Sequence, residues 1–516
     1  MPIQTDRLRR DIETIAAITQ TPGAGATRPT FSKEWGSAVA YVAAEAEKLG
    51  CHVRRDSAGN LFARCGKLDP DEPAWLVGSH LDTVPHGGDF DGVAGVVTAL
   101  ELLRAAADDD TAVPVELVVF AEEEGPTFGM GMLGSRTLVG ELTADNLCLY
   151  RNAAGETYVD ACRPYAGNSA KLDKHLGLIE LHIEQGPGMW RRDERVAVVE
   201  SIAGRRQYTV GIEGEANHAG ATAMTDRRDA LCAVAEMTLA LETLAPELSP
   251  QAVLTVGRIE VKPNAVNVIP DRVTFTIDFR APTDELMEAG ESQLRQRITD
   301  IAASRRVSVA IAETEAIPAR PMHSALVEQL AAGLPRVMSG ALHDAAVLAP
   351  HVPTVMLFVP SRDGISHNPA EFSRVEDIAE AAAVVEQAVR RPTIAQLNAM
   401  GRERFTQTLG GIFEHSPWIA ERAWDARPFE DVADLHAKMV AVVDAAPADE
   451  QLALICAHPD LVGKLAKQGR LTAESTHEQQ AAGLDEITPD EADAFDKFNA
   501  DYRARFGFPF VICARE

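Results

Sequence analysis

The stretch LVGSHLDTVPHGGDFDGVAG, from Leu76 to Gly95, constrains this chain more than any other. An apolar run from Ala74 to Val77 predicts a buried strand that ends at Gly78. Behind it come His80, Asp82, His86, Asp89 and Asp91, punctuated by Gly87, Gly88 and Gly92. Glycines allow tight turns and close approach, so imidazoles and carboxylates of one loop can converge on a point. Loops beyond the carboxyl ends of strands are where open α/β sheets put their chemistry. Alone, His80 reads as a solvated loop residue. In this cluster, with partners further on, it reads as a ligand.

Hydropathy patterning extends the strand into a sheet. Two amphipathic helical patterns lie between Asp6 and Leu49, and 52–64 alternates like a hairpin around Ser57 to Asn60. Val93 to Ala107 has helical periodicity, and Val115 to Phe120 is a second apolar strand; strand, helix, strand implies an α/β sheet. Leu178 to Glu184 is a further strand. From Arg206 to about Ala312 the order becomes β-α-β-β-α-β, which predicts an inserted ferredoxin-like unit. Afterwards come a helix near 324–334, a strand at Thr354 to Val359 and a helix from Val375 to Arg391. Beyond Gly401 the pattern is almost wholly helical.

A chain of 516 residues is too long for one ordinary core. The expected division is an α/β domain at 1–205 and 323–395, an inserted α+β domain at 206–322, and an all-α domain at 402–516. The formal charge of −28 argues against nucleic acid or an anionic membrane as partner. The scattered cysteines show no metal or disulfide spacing, and the amino-terminal stretch lacks the apolar run of a signal peptide, so a cytoplasmic location is expected.

Other stretches carry groups suited to a dinuclear metal site. Val115 to Phe120 runs into Ala121-Glu122-Glu123-Glu124-Gly125; the Leu178 strand carries His182; Ser366-His367-Asn368 follows the Thr354 strand. Imidazoles, a bridging Asp and a Glu would hold two divalent ions about 3.5–4 Å apart, with a neighbouring Glu as general base. Donors of this kind suit Zn²⁺ or Mn²⁺. Asp82, two residues from His80, is spaced to take the second ring N–H.

GSHLDTVPHGGDFDGVAG, AEEEG, LHIEQG, NHAGATAM, KPNAVNVIPD, DFR and SRDGISHNPAEFS together resemble the N-carbamoyl-amino-acid amidohydrolase and allantoate amidohydrolase group. That group belongs to the dinuclear-metal aminoacylase/carboxypeptidase superfamily, and the resemblance spans about residues 5–395. It implies His80 and His182 on one ion, Glu124 and His367 on the other, Asp91 bridging, and Glu123 as general base. The run of three glutamates keeps Glu122 open as an alternative register. The inserted domain would be a lid and homodimerisation element whose His218 reaches the partner subunit's site. Asn267 and Arg280 match substrate-carboxylate contacts, with Gln185, His343 and Arg362 as further contacts. The implied substrates are small ureides.

Residues 402–516 hold no ligand cluster, yet FTQTLGGIFEHSPWIAERAW, CAHPDLVGKLA, LTAESTHEQQAAGLD and FNADYRARFGFPFVICARE resemble the 2-oxo-4-hydroxy-4-carboxy-5-ureidoimidazoline (OHCU) decarboxylase family. The resemblance implies cofactor-free decarboxylation to (S)-allantoin. His458 would be the acid/base group, with Ser475, Glu478 and Gln479 in the pocket and the backbone around Phe510, Ile512 and Ala514 lining it. It also implies further helices beyond FVIC, where this sequence ends at Glu516. Both implied reactions belong to urate breakdown, which favours allantoate over N-carbamoyl amino acids as the first substrate. An N-carbamoyl-L-amino-acid or β-ureido-acid hydrolase with a non-catalytic C-terminal domain is the alternative.

Overall fold

The computed structural model describes residues 3–65, 72–108, 113–331, 333–390, 392, 394–458 and 489–511. The chain divides into two compact units, Met1–Arg391 and Pro392–Glu516.

The first unit is built on a mixed sheet. Its strands are β1 (Cys51–Arg55), β2 (Leu61–Cys65), β3 (Ala74–His80), β4 (Val115–Phe120), β5 (His175–Ile183) and β6 (Ala197–Ile202). After an insertion come β11 (Arg320–Pro321), β12 (Arg336–Ser339) and β13 (Thr354–Val359). The spatial order is β1-β2-β4-β3-β5-β13-β6-β11, with β12 beside β6. Strands β4, β3, β5 and β13 run parallel to their neighbours in that series, so their carboxyl ends share one edge. Every residue of β3, β4 and β13 is buried, as expected of strands covered on both faces. Helices Val93–Asp108 and Val375–Arg390 contribute to the same core.

β3 does not end at Gly78. It pairs on through Ser79↔Val119 to His80↔Phe120, which makes His80 its last residue. A Cβ at position 78 would lie 1.9 Å from the Val118 carbonyl oxygen, so this glycine permits close strand packing rather than a turn. Strands β6, β11 and β12 have no counterpart in the sequence reading; β6 lies antiparallel to β13, as β2 does to β1 and β4, so the sheet is mixed on both sides of its parallel centre.

The insertion consists of β7 (Gly204–Glu213), helix Ala230–Leu248, β8 (Val253–Lys262), β9 (Arg272–Ala281), helix Asp284–Arg305 and β10 (Ser308–Ile317). Its antiparallel sheet has the order β10-β7-β9-β8. β9 alternates buried and half-buried residues with period two, sending Val273, Phe275, Ile277 and Phe279 against Met237, Leu241, Leu294 and Ile298 of the two helices. This core is separate from that of the larger sheet.

In the second unit all described elements are helical, including Arg402–Leu409, Pro417–Ala423, Val432–Asp444, Ala448–Ala457 and Pro489–Phe506. Phe405 and Phe429 stack at 5.7 Å within its core beside Ile419 and Met439.

Candidate metal centre

The shared edge of β3, β4, β5 and β13 gathers the polar residues that the sequence scattered. His80 ends β3, His182 lies one residue from the end of β5, Glu122–Glu124 follow β4, and His367 follows β13. Asp91 comes from the loop after β3 and meets three of these histidines. Its Oδ1 lies 3.1 Å from His182 Nε2 and 3.4 Å from His80 Nε2, while its Oδ2 lies 3.4 Å from His367 Nε2. Glu124 Oε1 is 3.2 Å from His367 Nε2, and Glu123 Oε2 is 3.6 Å from His80 Nε2. Two groups therefore share Asp91: His80, Asp91 and His182, and Asp91, Glu124 and His367.

The loop is shaped for this convergence. Gly92 has φ +67°, and a Cβ there would lie 2.6 Å from the His80 ring. The backbone amides of Phe90 and Asp91 donate to Glu371 Oε1 at 3.0 and 3.1 Å, pinning the loop from a residue far along the chain. Gln185 Nε2 donates to Asp91 Oδ2 at 2.8 Å, and Ser366 Oγ does so at 3.1 Å. Glu122, Gln185 and His367 all have positive φ, between 54° and 58°. Non-glycine residues enter that region at a cost of order 1–3 kcal/mol, and such strain collects where a side chain must be aimed.

Whether divalent ions fit can be judged from the imidazoles. His80 and His182 are 1% exposed, and the Nε2 of each has no hydrogen-bond partner. Leaving one buried polar atom bare costs about 1–3 kcal/mol, and here two face one carboxylate oxygen. Their other nitrogens are engaged: His182 Nδ1 donates to the Ile183 carbonyl and His80 Nδ1 to the Asp82 carbonyl, each at 3.0 Å. That is the tautomer a metal-binding Nε2 needs. The residues fit.

The expected role of Asp82 is thereby refined. Its backbone carbonyl, not its carboxylate, bonds the His80 ring; Oδ1 is 3.8 Å away, and Oδ2 accepts from the Glu124 amide at 3.1 Å. His86 and Asp89 stay outside the cluster; His86 Nδ1 donates to the Ala24 carbonyl. Glu122 turns away, accepting from the Phe128 amide at 2.7 Å, which leaves Glu123 and Glu124 facing the cluster.

The electrostatics of the cluster are those of crowded carboxylates and imidazoles. Burial pushes Glu123 well above the ordinary carboxyl range, opposed by His80 and reinforced by Glu124 and Asp344. Burial also works against the charge of Asp91, yet His182, His367 and His80 outweigh it and hold this carboxyl well below its usual range. Hydrogen bonds to Asp91 and Glu124 raise His367 to about 10.

A cleft of about 270 Å³ opens onto the cluster, lined in part by Glu123, His182, Gln185, Arg205, Arg280 and His343. Arg280 reaches it from β9, donating to Asp278 Oδ1 at 2.8 Å and to the Gly340 carbonyl at 2.7 Å. His343 is buried, its ring 4.5 Å from that of His182 and its Nε2 2.9 Å from Ser339 Oγ, with burial holding its pKa well down. Arg362 is not among the lining residues: it is exposed, with its guanidinium 4.5 Å above the Phe372 ring. His218 and Asn267 also lie elsewhere, on an exposed part of the insertion. Sequence reading missed Arg205, Glu371 and Asp344. Glu371 sits inside the quoted SRDGISHNPAEFS motif, whereas Asp344, which accepts from Ser135 Oγ at 2.5 Å, had no local signal.

In the second unit His458 follows helix Ala448–Ala457, half-buried, with Nδ1 2.9 Å from the Leu454 carbonyl. Phe510 is exposed, its ring 5.3 Å from Tyr502. Ser475, Glu478, Gln479, Ile512 and Ala514 lie outside the described residues.

Comparison with known proteins agrees with this geometry. The chain is 36% identical to an N-carbamoyl-L-amino acid amidohydrolase of Geobacillus stearothermophilus over 74% of its length and 97% of that protein's. It is 35% identical to the allantoate amidohydrolase of Escherichia coli, over 70% of this chain and 91% of that one. A solved hydantoinase/carbamoylase family amidase of Burkholderia multivorans superposes with a TM-score of 0.71 at 33% identity, covering 75% of this chain and 97% of its own. Residues 398–516 match the OHCU decarboxylase family. Residues 76–391 match Peptidase family M20/M25/M40, a dinuclear-metal-dependent family, and the chain belongs to it.

Proposed function

We propose that this chain is a bifunctional enzyme of ureide breakdown. Its first unit hydrolyses the ureido C–N bond of allantoate, and its second decarboxylates OHCU to (S)-allantoin without a cofactor. One observation carries the hydrolase reading: the bare, buried Nε2 atoms of His80 and His182 face one oxygen of Asp91, while His367 and Glu124 gather at the other. In this reading His80 and His182 would hold one divalent ion and Glu124 and His367 the other, with Asp91 a ligand shared by the two groups. Zn²⁺ and Mn²⁺ each suit the donors. Bound there, such ions supply Lewis-acid activation of water and of the ureido carbonyl.

The protein's own groups do the rest. Glu123 takes a proton from the attacking water and returns it to the departing ammonia; a carboxyl raised by burial exchanges its proton closer to neutrality. The carbamate left behind loses CO2 unaided. Gln185 and Ser366 fix the orientation of Asp91. Arg280 offers a guanidinium to the substrate carboxylate. The insertion is read as a ferredoxin-like lid that joins two copies, His218 and Asn267 serving the partner's cleft; their exposure on this chain suits that role. The proposed domains are 1–205 with 323–395, 206–322 and 402–516. In the last, His458 would protonate the carbon that loses carboxylate.

Allantoate is preferred because the second unit's product, allantoin, yields allantoate on ring opening. The comparable similarity to N-carbamoyl-L-amino acid amidohydrolases supports a second reading, in which those compounds are the substrates. Ammonia release from allantoate and from N-carbamoyl-L-amino acids, each assayed with Zn²⁺ and with Mn²⁺, separates the two. Turnover of allantoate is expected; its absence beside turnover of the others would establish the second reading.

A further inference from the structure

We infer that Arg205 is a specificity residue that recognises the second ureido group of a substrate bearing two on one carbon. This rests on the allantoate reading above. Arg205 and Arg280 stand directly opposite each other across the β7/β9 pair, and both line the cleft that holds the metal cluster. Like charges placed opposite on a sheet repel, so a fold keeps such a pair only where something compensates. Here carboxylates compensate each in part: Asp278 accepts from Arg280, and Glu315 lies 2.6 Å from Arg205 Nη2.

The two arginines differ in what is left over. Arg280 spends Nε and, more loosely at 3.5 Å, Nη2 on Asp278, and Nη1 on the Gly340 carbonyl. Arg205 Nε is buried and has no hydrogen-bond partner. Buried N–H groups are nearly always satisfied, so a bare one on a residue that lines a substrate cleft marks a place for a ligand oxygen. With its charge already met by Glu315, this N–H suits a neutral carbonyl better than a second carboxylate. Allantoate carries one carboxylate and two ureido groups on a single carbon. With the carboxylate on Arg280 and one ureido carbonyl at the cluster, the remaining carbonyl falls to the neighbour of Arg280, which is Arg205. N-carbamoylglycine has the same carboxylate and a single ureido group, and makes no use of Arg205.

The test is steady-state kinetics of the full-length, metal-loaded enzyme and its Arg205→Met and Arg205→Lys variants on allantoate and N-carbamoylglycine. Where N-carbamoylglycine turns over too slowly, its inhibition constant against allantoate replaces its kcat/KM. Loss of one hydrogen bond to a buried carbonyl should lower kcat/KM for allantoate at least about tenfold, mainly through KM. N-carbamoylglycine should change less than about threefold. Arg205→Lys keeps the charge facing Glu315 but lacks Nε–H, so it should lose allantoate selectivity as well. An equal loss on both substrates, no loss on either, or full selectivity in Arg205→Lys overturns the inference. A wild-type enzyme that hydrolyses N-carbamoylglycine but not allantoate sinks the substrate reading and this inference together, whereas the variant outcomes sink this inference alone.

Discussion

The two units carry their chemistry in opposite ways. In the first, six side chains from four separated segments meet because parallel strands deliver them to one edge. In the second, His458, the proposed acid/base group, stands just past a helix end, its ring Nδ1 bonded to the carbonyl one turn back. A sheet edge is a rigid common origin, so residues far apart in sequence reach one point, and the misfit of bare nitrogens and crowded carboxylates is visible in the side chains themselves. A helical unit has no such edge. Its proposed chemistry rests on resemblance to a family, since the described residues of this unit gather no comparable cluster.

The sharpest way to break this comparison is to disable each unit in turn. Glu123→Gln removes the proposed proton carrier of the first, and hydrolysis should fall by about 10²–10⁴-fold with decarboxylation unchanged. His458→Ala should abolish decarboxylation and leave ammonia release from allantoate intact. Coincident losses in either variant would mean that the units do not act independently. Gln185→Leu is milder: it removes the 2.8 Å hydrogen bond to Asp91 and should weaken metal binding about 10–100-fold, read by competition with a chromophoric chelator.

Proton linkage gives a further test. In the metal-free protein His367 stays protonated up to about 10, because Asp91 and Glu124 stabilise its charge. A metal ion must displace that proton, so affinity at this position should rise with pH, by up to about tenfold per unit. Occupancy that falls as pH rises from about 6 to about 8 would contradict the assignment. The smallest effect is expected at Arg362→Ala, which should alter kcat/KM by less than about threefold, since the side chain rests on Phe372 outside the cleft.

Much of the first site was readable before any coordinates. Ligand-type residues closing apolar runs, with glycines beside them, pointed to the loop after the Leu76 strand, to Glu122–Glu124, to His182 and to His367; the family resemblance singled out Asp91 and Glu124. Two kinds of information were not readable. One is orientation: three consecutive glutamates look alike in sequence, and only the backbone turn at Glu122 sends one inward and two towards the cluster. Asp82 is similar, since spacing suggested its carboxylate while geometry uses its carbonyl. The other is long-range support. Glu371 holds the Asp91 loop from 280 residues away, and Arg205 meets Arg280 only through strand register. The β6 strand escaped because nothing local announces that it flanks β13.

The central claim is that Asp91 joins two metal positions, and metal stoichiometry tests it most directly. Mass-spectrometric metal analysis of the full chain, gently purified with Zn²⁺ or Mn²⁺ present, should find two ions per chain. His182→Ala and Glu124→Ala should each retain about one ion, and Asp91→Ala fewer than either. Less than one ion per chain in the unaltered protein, or two ions kept in Asp91→Ala, would contradict the account.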